Sequence, residues 1–143
     1  MLGCVALLGL AGCGGDGDEQ SDGETTDSFL AQVDATCKRH TDPIRAASSK
    51  LLAGGNLPKP SQFQELAEGT IIPEYSAQVT ELQDLAPPDE IAEPYGQWLS
   101  SSKATLAQIM KDPQTLTDPA SFMDVNAEAD QLQLSTDCHV GPG

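Results

Sequence analysis

The residues with the most open chemistry in this chain are its two histidines, His40 and His139. His40 stands three positions after Cys37 and His139 directly follows Cys138. If those cysteines meet, both imidazoles lie near one point. Two neutral imidazoles at the edge of a helical domain could hold copper, zinc or haem iron. The plainer expectation is that His40 sits in an apolar stripe with its nitrogens satisfied by neighbours, while His139 lies at the C-terminal end. The plainer one is favoured, because two histidines alone make an incomplete ligand set. More specific metal signatures are missing. A di-iron bundle needs Glu-x-x-His, but Cys37 and Thr136 occupy the positions three before the histidines. Covalent haem attachment needs Cys-x-x-Cys-His, and Ser135-Thr136-Asp137-Cys138-His139 lacks the first thiol. Neither a glycine-rich phosphate loop nor a Gly-x-Ser-x-Gly elbow is present.

Other side chains invite chemistry less strongly. Glu90 and Glu93 could be read as a carboxylate pair for glycoside hydrolysis, but they fall at a helix start, where acids compensate the dipole. Tyr95 and Trp98 could line a ligand groove, yet their helical spacing fits a core stripe better. Lys38, Arg39, Arg45 and Lys50 concentrate basic charge on one segment. They could meet an acidic partner or a wall-polymer phosphate, although a solvated face paired with neighbouring acids accounts for them more simply. No catalytic constellation emerges, and the chain reads as non-enzymatic.

Composition sets the outer bounds. The chain has 143 residues, room for one domain, and a formal charge of −15 from 22 acidic and 7 basic residues. Such a surface repels a nucleic-acid backbone and an anionic lipid surface alike, so membrane association requires a covalent anchor or an apolar segment. Aromatic residues make up 4% of the chain, so the expected core leans on Leu, Ile, Val and Ala.

The run Leu2 to Ala11 is apolar and roughly ten residues long, the length of a signal-peptide core and too short to span a bilayer. It ends in Leu10-Ala11-Gly12-Cys13, which resembles the lipobox of bacterial lipoproteins. That resemblance implies a leader over residues 1–12, truncated because no Lys or Arg precedes the run, and a mature chain that begins at Cys13 carrying diacylglyceryl and palmitate-type lipid. Cys4 then belongs to the leader. The segment GGDGDEQSDGETTD that follows cannot bury enough apolar surface to order itself. Residues 13–27 are therefore expected to be a lipidated, acidic tether, and residues 28–143 the folded domain. The expected location is the extracytoplasmic face of the cell membrane, with the bilayer as partner through Cys13.

The elements that position these side chains read as helices throughout. The first, capped at Asp27 or Ser28, carries Phe29, Val33, Cys37, His40, Ile44, Ala47 and Leu51 as one stripe, kinked at Pro43 and ended by Gly54-Gly55. The second begins with Ser61 and Gln64 in capping-box spacing and runs through Phe63, Leu66, Ile72, Val79 and Leu82, weakened by Gly69 and Pro73. Pro87-Pro88-Asp89 opens the third, whose stripe is Ile91, Tyr95, Trp98, Ser102, Thr105, Leu106 and Ile109. The fourth is capped by Asp118, with Pro119 at its first position, and runs through Phe122, Val125, Ala129 and Leu132 toward Cys138. Short to moderate connections favour an all-α, up-down-up-down four-helix bundle.

With Cys4 removed and Cys13 lipidated, Cys37 and Cys138 remain as a pair in an oxidising compartment, so a disulfide joining the first and last helices is expected. Oxidation also disfavours a Cys₂His₂ zinc site. Phe29, Cys37, Pro87-Pro88, Tyr95, Trp98 and Cys138 together resemble a type of small secreted lipoprotein of actinobacteria. In these, an early Phe precedes a cysteine, a Pro-Pro step opens an aromatic-bearing helix, and a second cysteine closes the chain. The resemblance implies the helical fold and the disulfide and brings no activity with it. The functional expectation is an interaction or ligand-binding module of the cell envelope, meeting an envelope protein or a small ligand and needing no cofactor. The alternative is metal or haem binding through His40 and His139.

Overall fold

The computed structural model describes residues 25–55 and 57–141. Cys4, Cys13 and most of the acidic segment lie outside them. Among the described residues the architecture is all-helical with no strand. No helix there is long and apolar enough to cross a membrane.

Helix α1 spans Thr26–Leu52. Its cap is Thr25, whose side chain accepts from the Ser28 amide at 3.2 Å, so the helix starts before the expected Asp27 or Ser28. Pro43 lies inside this helix without ending it. Pro43 is exposed, so the backbone bond it forfeits lies on the solvent side. The expected stripe is buried at Phe29, Val33, Cys37 and His40 and only half-buried at Ile44, Ala47 and Leu51, where packing against the second segment is looser.

The second segment starts two residues earlier than expected. Helix α2 spans Pro60–Leu66, and the reciprocal contact at its start uses Gln62, whose side-chain oxygen accepts from the Lys59 amide at 3.0 Å. A π-turn, Ala67–Ile71, then leads into α3, Ile72–Gln83. The cause is Pro73, which has no N–H to offer the Gly69 carbonyl and crowds it with its ring. The chain widens by one residue instead of breaking, and the Ile72 amide donates to the Ala67 carbonyl.

Helix α4 spans Ala92–Lys111, with Glu93 in its first turn. Two Asp-Pro steps follow. The Asp112 carboxylate accepts from the Gln114 amide at 3.0 Å to start a 3₁₀ turn, Pro113–Thr117, and Asp118 does the same for Ala120 at 3.1 Å to start a second, Pro119–Phe122. Helix α5, Met123–Gln131, grows from the second. The Asp118 cap is thus as expected, although its first turn is 3₁₀. The chain turns at Gln133, whose φ is 61°, and closes with a 3₁₀ turn, Thr136–Cys138. Cys138 therefore sits beyond the last α-helix and not on it.

Helix α1 packs on α3, α3 on α4 and α4 on α5, while the C-terminal 3₁₀ turn packs on α1. The core leans on aliphatic residues as expected, among them Val33, Val79, Leu82, Ile109 and Val125, with the few aromatics packed among them. Phe29, Tyr75, Tyr95, Trp98 and Phe122 are all buried. Phe29 meets Tyr95 edge to face with centroids 5.0 Å apart, and Trp98 lies 5.7 Å beyond. The Tyr95 hydroxyl donates to the Leu82 carbonyl at 2.7 Å, tying α4 to α3.

Candidate functional site

The looser half of the molecule holds a partly open cavity of about 170 Å³. Its walls follow from helical spacing. Thr41, Ile44 and Ser48 recur on one face of α1, Phe63 and Leu66 on α2, and Tyr75 and Gln78 on α3, with Ile71 supplied by the π-turn. Leu116 reaches in from the first 3₁₀ turn, and the C-terminal strap His139–Gly141 forms the last wall. The lining is mainly apolar.

The strap is held at every step. Cys37 and Cys138 form a disulfide with Cα atoms 4.9 Å apart, both residues buried. The Asp34 carboxylate accepts from the Ser135 amide at 2.8 Å, and the Thr41 hydroxyl donates to the Asp137 carbonyl at 2.7 Å. Arg45 donates to the Asp137 carboxylate at 2.6 Å, and that bond first, then the charge, holds the guanidinium above its ordinary value. Asn126 bonds Val140 reciprocally, donating to its carbonyl at 3.0 Å and accepting from its amide at 2.8 Å. Gly141, at a φ of 92°, lies against the Phe122 ring where a Cβ would collide.

The two histidines each have their own acids. Nδ1 of His40 lies 2.9 Å from Glu74 Oε2, and its Nε2 lies 3.1 Å from Glu81 Oε1. Carboxylates only accept, so both contacts are hydrogen bonds together when both ring nitrogens carry hydrogens. His139 meets Asp130 at 2.9 Å and lines the cavity. Among the described residues no group of three or more His, Cys, Asp or Glu is arranged to hold a metal ion.

Most of the basic face on α1 is paired. Lys38 meets Asp42 at 2.9 Å, Arg39 meets Glu81 at 2.9 Å, and Arg45 meets Asp42 at 3.1 Å as well as Asp137. Lys50 has no ion pair among the described residues. Glu90 accepts from the Thr26 hydroxyl at 3.1 Å, and Tyr95 and Trp98 are core residues. Sequence reasoning missed Gln78, which is buried against the cavity, and the two acids that hold His40. The available signal was the spacing of Glu74, Gln78 and Glu81, which places three polar groups on one face of α3 beside the apolar stripe.

Compared with known proteins, the chain matches no family model, no curated protein and no solved structure.

Proposed function

We propose that the protein is a non-enzymatic, ligand-binding module of the cell envelope, anchored through lipid on Cys13 to the extracytoplasmic face of the cell membrane. The observation that carries the ligand-binding reading is the partly open, mainly apolar cavity between α1, α2, α3 and the C-terminal strap. Anchorage is supported by Leu10-Ala11-Gly12-Cys13 and the acidic segment after it. The resemblance to small actinobacterial secreted lipoproteins and the up-down-up-down bundle belong to the same reading, the latter supported by the side-by-side packing of successive segments. The non-enzymatic assignment is supported by the lining itself. Its phenol, Tyr75, is pushed well above the ordinary tyrosine value by burial and donates to the Ser102 carbonyl at 3.4 Å, which suits it to shape a wall and not to move a proton.

Xenon tests the binding half, because apolar cavities of about 150 Å³ admit it without any polar contact. Under xenon pressure the methyl resonances of Ile44, Leu66, Ile71 and Leu116 should shift in a saturable way, and unshifted methyls would end the ligand-binding reading. The anchor is tested in cells by incorporation of a labelled palmitate analogue. The Cys13→Ala chain should take up none.

A further inference from the structure

The cavity has one polar feature that apolar packing does not account for. Gln78 is 3% exposed, yet its amide nitrogen donates only to the Cys37 sulfur at 3.5 Å, a weak acceptor. Its amide oxygen has no hydrogen-bond partner among the described residues. The oxygen is not sealed off, so whatever fills the cavity, water or a ligand, is what meets it. This acceptor belongs to a side chain that lines the cavity but not the outer groove beside it.

Size and charge narrow what could meet it. A volume of about 170 Å³ is close to the roughly 150 Å³ that takes one benzene ring. Among the described residues, the ionisable groups in the lining are the Tyr75 phenol, already bonded to Ser102, and the His139 imidazole, already facing Asp130. A charged ligand would therefore lose its hydration without gaining a counter-charge. Thr41, Ile44, Ser48, His139 and Gly141 also line an outer groove of about 560 Å³, so the cavity and the groove share a wall.

Resting on the ligand-binding reading above, we infer that the cavity takes a small neutral molecule of about one six-membered ring bearing a hydroxyl or N–H, which donates to the amide oxygen of Gln78. Apolar walls from Ile44, Leu66, Ile71 and Leu116 hold the ring, and Gln78 selects for the donor. A ring with no donor would fill the same space while leaving the carboxamide unmet.

The test is an NMR titration of the full chain with phenol and, in parallel, with toluene. Phenol should bind about twofold to tenfold more tightly, the span of one neutral hydrogen bond. The shifts should centre on the Gln78 side-chain amide and the surrounding methyls. In Gln78→Met, similar in length and without the acceptor, the preference should vanish or reverse. Equal affinities in the unmodified chain overturn the inference whether or not the variant folds, as does a phenol preference that survives in a folded Gln78→Met. Xenon binding with no phenol preference leaves the cavity as a ligand site and removes the donor selection. Failure of xenon as well removes the site itself.

Discussion

At the scale of single residues, the polar groups inside this protein stand in for contacts that a larger apolar core would supply. His40 is 7% exposed and joins α1 to two positions on α3 through Glu74 and Glu81. Replacing it with alanine leaves two partly exposed carboxylates facing an emptied space. His40→Ala should lower unfolding free energy by about 1–3 kcal/mol in a urea titration. The tyrosines give a second readout, because the chain has only two and both are buried. Burial pushes both phenols well above the ordinary value of 10.0. Each is raised in the folded state, so its contribution to stability is complete below the unfolded value and is lost as pH rises past it toward the folded one. In native protein the phenolate absorbance should stay flat through pH values where it has already risen in denatured protein, and stability should fall over that window. A native rise near the ordinary value would show the phenols to be solvated. The sequence showed that His40 sits in an apolar stripe, which was enough to expect a satisfied histidine. It did not show by what, since Glu74 and Glu81 are more than thirty positions away, and only the packing of α3 on α1 brings them there.

At the scale of elements, boundaries were set by proline and aspartate chemistry more than by hydrophobic period. The stripes of α1 and α4 were legible because helical spacing sustained over many turns fits neither a strand nor a loop. The π-turn was not, because Gly69 and Pro73 announce a weakness without saying whether the helix bends, breaks or widens. The strap was also illegible. Nothing periodic marks Ser135 to Gly141, and its conformation is fixed by contacts to Asp34, Thr41, Asn126 and Phe122 in distant parts of the chain. Gly141→Ala adds a Cβ at a positive φ directly against Phe122 and should cost about 1–2 kcal/mol. Hydrogen exchange should place that loss in the strap, with faster exchange at the Val140 amide and unchanged protection in α4. Uniform loosening of all helices would count against a local wall.

At the scale of the molecule, one covalent link closes a loop with a sequence separation of 101. A closure of that length constrains the unfolded chain by up to about 4.7 kcal/mol, comparable with the net stability of a small domain. The paired variant Cys37→Ala/Cys138→Ala should unfold at least ~2 kcal/mol more easily, the lower end for a native disulfide in a small domain. Intact mass before and after reduction should differ by two hydrogens in the unmodified protein, and full thiol labelling of the native fold would remove the link. The cysteine pair was readable from the sequence by its isolation. The cavity was not, because it arises where the second half of α1 fails to pack closely, and no local pattern records an imperfect fit between distant segments.

The length of α1 sets the cavity apart from the end of the domain that follows the tether. Thr26 begins the helix and Ile44 lies on its far half, so at 1.5 Å per residue the cavity wall stands about 27 Å along the axis from the end nearest Cys13 in sequence. On the proposed anchorage the tether joins one end of α1 and the cavity lies toward the other, beside an outer groove that Leu52 also lines. With the tether at the opposite end of α1, the anchor leaves the cavity clear for exchange with water, which suits a solute small and polar enough to travel alone.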